Sequence, residues 1–148
     1  MKQLTQQICL ATVLALGACG IAQAEEEGRR CREGSLDGLY IFSASGYTIV
    51  GGVAQPKAIV ELIRFDGGGS LIAPAATRSI NGVITQFPFN PNSPLGHYTL
   101  NPDCTGTVTF GVGGPSFDIF ASPNGEDAWM IQNQPNTVFQ GNVARVAR

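Results

Sequence analysis

Residues 105–132, TGTVTFGVGGPSFDIFASPNGEDAWMIQ, decide the fold class of this chain. They contain three short runs rich in β-forming residues, at 105–112, 116–121 and 128–132. The turn-forming segments GGP and PNG separate these runs. Connections this short join antiparallel neighbours, because a parallel crossover needs a dozen or more residues. Within the third run, Trp129 and Ile131 share one face of the strand, and Ala128 and Met130 share the other.

The same succession of run and turn extends to both sides of this stretch. Further strands are predicted at residues 39–50, 58–65, 70–80, 83–89, 96–100 and 137–146. Pro74 lies within one of them and predicts a bent or edge strand. No segment of residues 36–148 shows the apolar period of a helix. We therefore predict an all-β fold, a single antiparallel up-and-down barrel of about eight strands, with a β-sandwich as the alternative.

The composition is typical of one globular domain and argues against a nucleic-acid partner. The 148 residues include 19 glycines and 9 prolines, which is below the level of a low-complexity chain. Charged residues make up only 14%, and the net charge is −2. Nucleic-acid binding is not expected, because it requires a basic surface.

The first 24 residues have the organisation of a signal peptide. Lys2 precedes an apolar run at 8–22, and Ala22-Gln23-Ala24 is typical of a cleavage site. We expect an exported protein, periplasmic or secreted. Its domains would be a signal peptide at 1–24, a flexible charged arm at 25–35 and a β-barrel at 36–148.

A second interpretation of the same segment involves a lipid anchor. Leu16-Gly17-Ala18-Cys19 is similar to a bacterial lipobox, in which the cysteine is lipidated and becomes the new N-terminus. Cys19 is then the predicted lipidation site, and the protein would be anchored in the bacterial envelope. Membrane contact is expected only through this anchor.

Cleavage after residue 24 leaves two cysteines, Cys31 and Cys104. An even number in an exported chain predicts a disulfide between them. A metal site is not expected, because two distant cysteines and the single His97 cannot supply four ligands. No cofactor is expected either.

Few residues qualify as catalytic, and we assign none. Glu61 shares a strand face with Ile59, Ile63 and Phe65. If that face points inward, the carboxyl group is buried with a raised pKa, as a general acid or base requires; alternatively, the charge lies near the barrel mouth in contact with water. The candidates are therefore Glu61, Arg145 and Tyr98. The chain has no Gly-x-Ser-x-Gly elbow, Walker loop or His-Glu-x-x-His motif.

The residues Gly38-Leu39-Tyr40 and Arg145 resemble the lipocalin-like, or calycin-type, β-barrels. Those proteins begin their first strand with Gly-x-Trp, and a late basic residue packs across that ring to close one end; here Tyr40 replaces the tryptophan. The resemblance implies a barrel with a central apolar cavity. The architecture is also similar to the allene oxide cyclase type of barrel, which implies isomerisation or cyclisation in a pocket.

Three functions follow as hypotheses. The first is a small-ligand-binding barrel that holds an apolar or amphipathic molecule among inward aromatic side chains, namely Tyr40, Phe42, Phe87, Tyr98 and Phe110. The second is a structural or interaction protein of the cell envelope that uses the barrel exterior and has a packed interior. The third is a cofactor-free isomerase or cyclase. The sequence does not predict the oligomeric state.

Overall fold

A computed structural model describes residues 30–93 and 95–147. A short 3-10 helix, Glu33–Ser35, precedes nine strands. The strands are β1 (Asp37–Val50), β2 (Val53–Asp66), β3 (Ser70–Ile80), β4 (Val83–Phe87), β5 (Gly96–Leu100), β6 (Thr105–Thr109), β7 (Ser116–Ala121), β8 (Asp127–Gln132) and β9 (Thr137–Ala147). The predicted signal peptide, the lipidation site Cys19 and residues 25–29 of the predicted arm lie outside the described residues. Within the described ranges, no helix is long and apolar enough to cross a membrane.

The strands form one antiparallel sheet in the order β2-β1-β9-β8-β7-β6-β5-β3-β4. Pairing of β2 with β3 closes eight of these strands into a barrel, and β4 is an additional strand on β3. The predicted up-and-down barrel is therefore confirmed, and the alternative β-sandwich is not formed. Closure agrees with the short connections, because a meander of this length leaves exposed edges unless its ends pair.

Strand β3 has different partners along its length. Its first residues, Ser70 and Leu71, pair with β5, and residues 76–80 pair with β4. Between these two regions the carbonyl group of Pro74 accepts a hydrogen bond from the Asn90 amide at 2.6 Å. Of the two predicted forms, the edge strand was thus wrong, since β3 has neighbours on both sides. The bent strand agrees with the register shift in the β2–β3 pairing beside Pro74. Pro74 is tolerated because it stands where the ladder passes from one partner to the other.

Strand boundaries differ from the predicted ones where proline or glycine was misinterpreted. β2 begins at Val53, five residues before the predicted start, and it contains Pro56. The Pro56 carbonyl accepts a bond from the Asn81 amide, so the missing donor of Pro56 falls on the side away from β1 and leaves that ladder intact. β4 stops before Pro88, and β6 stops at Thr109, earlier than predicted.

The barrel interior is filled by side chains. Alternation along each strand buries the aromatic residues Tyr40, Phe42, Phe65, Tyr98, Phe117 and Phe139. The rings meet edge to face, with centroids 5.2 Å apart for Tyr40 and Phe65 and 5.7 Å apart for Phe42 and Phe117. An eight-stranded barrel has an interior about wide enough for such a filling.

One end of the barrel is closed by the segment that precedes β1. The Tyr98 hydroxyl oxygen lies 2.9 Å from the carbonyl oxygens of both Glu33 and Leu36, which share its single proton as acceptors. The Cys31–Cys104 disulfide is present and ties the same segment to the turn before β6. Residues 30–35 of the predicted arm are therefore attached to the barrel.

Arg145 of β9 completes this closed end. Its guanidinium group lies 5.0 Å from the centroid of the Tyr40 ring, which is the contact that the lipocalin-like resemblance implies for these two residues. It donates hydrogen bonds to the carbonyls of Ser35 at 3.1 Å and Gly125 at 3.0 Å, and also to that of Asp37. Gly125 has φ +66°, and a Cβ there would stand 1.8 Å from the Ser35 carbonyl oxygen, so this position requires glycine.

We expect the double substitution Cys31→Ser with Cys104→Ser to lower the free energy of unfolding by roughly 4 kcal/mol. The disulfide spans 73 residues, and the chain-entropy account gives about this stabilisation for a loop of that size. Urea denaturation of the oxidised protein and the variant measures the difference. The reduced wild-type protein is the control and should match the variant. A loss below about 1 kcal/mol would contradict the structural role of this bond.

Candidate functional site

The predicted catalytic candidates Tyr98 and Arg145 both lie at the closed end. The Tyr98 hydroxyl group and the Arg145 guanidinium group donate to backbone carbonyls there, and Arg145 Nε also lies 3.5 Å from Glu126 Oε1. Burial raises the pKa of Tyr98 to about 12, so its proton is held firmly near neutral pH. These contacts stabilise the closed end of the barrel. They also occupy the Tyr98 hydroxyl and the Arg145 guanidinium, the two groups that a catalytic role would require to be free.

Glu61 is on the inner face of β2, farther along the barrel than Ile63 and Phe65. Its cross-strand neighbours are Phe42 on β1 and Ala76 on β3. Burial raises the pKa of Glu61 to about 7, and the positive charge of Lys57 partly opposes this rise. The inward orientation that would perturb the carboxyl group is therefore present. However, the structure does not bring Glu61 together with Tyr98 and Arg145, since Ile63 and Phe65 intervene along the strand.

Lys57 and Arg78 share the inner face with Glu61. Lys57 Nζ donates to Gln132 Oε1 at 3.2 Å and lies 4.0 Å from the Phe139 ring centroid. Burial lowers the pKa of Lys57, and the nearby charge of Arg78 lowers it further. The Arg78 guanidinium group lies 5.4 Å from the centroid of Phe87. Each cation thus rests on a ring, which offsets part of its loss of hydration.

The five aromatic residues predicted to bind a ligand do not share one environment. Tyr40, Phe42 and Tyr98 are at most 2% exposed and belong to the packed core. Phe110 is partly buried against Phe117, with centroids 5.7 Å apart, and Phe87 is exposed on β4. The prediction correctly placed most of these rings inward, but their mutual packing uses the space in which a ligand would lie.

A large groove lies on the outer wall instead. Its volume is about 790 Å³, and its lining comes from seven neighbouring strands, from β4 across β1 to β7. We call it the outer groove and define it by its outward-facing lining residues: Ser43, Ser45, Ala58, Val60, Thr77, Ser79, Ile84, Phe120, Trp129, Ile131, Gln140 and Asn142. Two smaller grooves, of about 530 and 640 Å³, flank the closed end and include residues of the N-terminal segment.

The outer groove follows from cross-strand register. One row of paired residues runs Thr77, Val60, Ser43, Asn142, Trp129 and Phe120 across six strands. A second row runs Ile84, Ser79, Ala58, Ser45, Gln140 and Ile131. The smallest side chains stand in the middle, at Ser43, Ser45 and Ala58. Large side chains stand at Trp129, Phe120 and Ile131 on one side and at Ile84 on the other. The rows therefore form a floor between two walls.

The chemistry of the outer groove is uncharged throughout. Every polar side chain in its lining carries a hydroxyl or an amide group, and none is acidic or basic. Trp129 and Phe120 are 58% and 53% exposed, although both are large rings. The Asn142 side chain donates to the Ala128 carbonyl at 3.2 Å, which fixes that amide in the floor. The groove can therefore receive a neutral ligand by ring contact and hydrogen bonding.

Sequence reasoning placed Trp129 and Ile131 on one face but did not identify this site. Alternation within a strand showed which residues share a face, yet the rows join strands that are distant in the chain. Ser43 and Asn142, for example, are neighbours only because β1 pairs with β9. The available signal was the change along the outward face of β1 from the large residues Leu39 and Ile41 to the small residues Ser43 and Ser45.

The chain matches no known protein family, no curated protein and no solved structure. Among the described residues, no group of three histidine, cysteine or acidic side chains is placed to hold a metal ion.

We expect Glu61→Gln to remove part of the pH dependence of stability. The pKa of Glu61 in the folded state, about 7, exceeds the ordinary value of 4.5, so the folded protein binds more protons than the unfolded chain between these pH values. Stability should fall as pH rises through that window. The loss should be about 1–2 kcal/mol after allowance for solvent screening, and the variant should lack it.

Urea denaturation of both proteins at pH 5 and pH 8 measures this difference. Asp118→Asn, on the outer face of β7, is the matched control for removal of a carboxylate. An identical pH dependence in the wild type and Glu61→Gln would contradict the inward, dehydrated position of Glu61.

Proposed function

We propose that this protein is an exported binding protein that takes a neutral, amphipathic ligand in the outer groove. The observation that carries the proposal is the exposure of Trp129 and Phe120 beside a floor of uncharged polar side chains. The groove volume of about 790 Å³ is within the usual range for small-molecule sites, roughly 300–1,000 Å³. Apolar walls with a few fixed polar groups are also typical of such sites.

This proposal moves the ligand from the interior of the barrel to its wall. A ligand between the inner rings would have to displace Tyr40, Phe42 and Tyr98, which are packed edge to face with their neighbours. Separation of such rings costs contact energy as well as buried apolar area. A ligand in the outer groove covers apolar surface that already contacts water, and needs no such rearrangement.

The disulfide indicates a non-cytosolic compartment, because such bonds persist where the environment is oxidising. Export to the periplasm or to the medium is our proposal, supported by the signal-like residues 1–24. A lipid anchor at Cys19 is the alternative form of the same proposal. In either form, the N-terminal segment is attached at the closed end of the barrel, whereas the outer groove lies on the side wall.

An envelope interaction protein is the second candidate function. Strand β4 pairs only with β3 among the described strands, and its residues Val83 and Ile84 are about 70% exposed. A free edge with apolar side chains can recruit another strand. In this candidate, a protein partner would lie along β4. An isomerase is not proposed, because Tyr98 and Arg145 engage backbone carbonyls at the closed end.

The outer groove can be tested through Trp129, because it is the only tryptophan in the protein. We expect octyl β-D-glucopyranoside, added below its micelle concentration, to shift the tryptophan emission to shorter wavelength in a saturable way. Sodium octanoate should bind more weakly, since the groove offers its carboxylate no opposite charge. Phe120→Ala should weaken binding of the glucoside about tenfold, from the loss of roughly 1.5 kcal/mol of ring contact.

Thr107→Ala is the matched control, because Thr107 is exposed on β6 and is outside the groove lining. Its affinity for the glucoside should equal that of the wild type. Equal affinities for Phe120→Ala and Thr107→Ala would place binding elsewhere, and the absence of any spectral change would overturn the proposed site.

A further inference from the structure

The aromatic and polar side chains of the outer groove occupy separate parts of it. Two aromatic rings stand together at one end, and amide and hydroxyl side chains continue from them along the floor. This order defines a class of ligand, and the inference rests on the proposed function of the groove as a binding site.

The two rings are cross-strand neighbours on the outer face. Phe120 and Trp129 are directly paired across β7 and β8, and both are more than half exposed on the outer face. Aromatic faces carry negative potential and attract polarised C–H groups, such as those of a sugar ring. The alternation of β8 buries Ala128 and Met130 in the core, so the structure does not require an exposed Trp129 for packing.

The floor of the groove continues from the two rings, and each successive strand adds one residue to each row. Asn142 follows Trp129 in the first row, and Ser43 follows Asn142; Gln140 and Ser45 occupy the equivalent places in the second row. Adjacent strands are about 4.8 Å apart, so the six steps from β4 to β7 cover about 29 Å along the wall. Polar side chains therefore stand on β9, β1 and β3, with the apolar residues Ala58 and Val60 of β2 between the last two strands. This spread across the groove suits a long ligand with repeated hydroxyl groups.

We propose that the outer groove binds a linear neutral oligosaccharide. One sugar unit stacks on Trp129 and Phe120, and further units receive hydrogen bonds from Asn142, Gln140 and the serine hydroxyls. No bond is made or broken in this recognition.

The other neutral or charged occupants fit less well. A ligand without polar groups, such as a bare hydrocarbon, would cover the amides and hydroxyls of the floor without replacing their hydrogen bonds to water, which is unfavourable. An acidic polysaccharide would meet no basic side chain in the lining. A peptide that adds a strand requires a sheet edge, whereas the floor from Ser43 to Asn142 belongs to paired strands.

The experiment compares oligosaccharides that have no alkyl chain with an alkyl ether that has no sugar. Cellohexaose, laminarihexaose, maltohexaose, mannohexaose and chitohexaose are titrated by calorimetry against the full-length mature protein, beside tetraethylene glycol monooctyl ether. At least one hexasaccharide should bind at least tenfold more tightly than the ether. Trp129→Ala should weaken that hexasaccharide at least tenfold, Gln140→Ala about fivefold, and Thr107→Ala not at all.

The outcomes separate this inference from the proposed function. Binding of the ether with no binding of any hexasaccharide overturns the oligosaccharide assignment and leaves the groove as a ligand site. The absence of binding for every probe overturns both. Hexasaccharide binding that survives both Gln140→Ala and Trp129→Ala places the sugar outside the groove. If Trp129→Ala does not fold, Gln140→Ala alone decides the location, because this exposed side chain is on the outer face.

Discussion

The packing of aromatic rings inside the closed barrel is the constraint on which the rest of the structure depends. Arg145 stacks on Tyr40, Tyr40 meets Phe65, and Phe65 meets Tyr98, so one connected series of contacts runs through the closed end. A second group, Phe42, Phe117 and Phe139, continues it along the interior. These buried rings occupy the interior of the eight-stranded barrel from its closed end to Phe139.

This filling determines what the outer wall can do. Each strand places alternate residues inside and outside, and in the middle of β1 the outward residues are Ser43 and Ser45. Their small size lowers the middle of the wall between Trp129 on one side and Ile84 on the other. The outer groove is therefore a consequence of the same alternation that builds the core, and the barrel serves it as a rigid support.

The sequence predicted the features that depend on local pattern. The barrel class, the separation of Trp129 from Met130 and the pairing of Cys31 with Cys104 all followed from alternation, turn residues and cysteine number. The partition of β3 between β4 and β5 was not predictable, because it depends on strand pairing over long sequence distances. For the same reason, the inner rings could be identified but not their mutual contact, and a central cavity was inferred where they meet.

The ligand that we propose contacts the outer wall of the barrel and not its interior. Nuclear magnetic resonance of the isotope-labelled mature protein, titrated with octyl β-D-glucopyranoside, tests this most directly. We expect the side-chain signals of Trp129, Gln140 and Asn142 to shift with ligand, while those of the inner rings of Tyr40, Phe42 and Tyr98 keep their positions. Shifts and ligand contacts concentrated on those inner rings would contradict it, because they would show that the ligand enters the barrel.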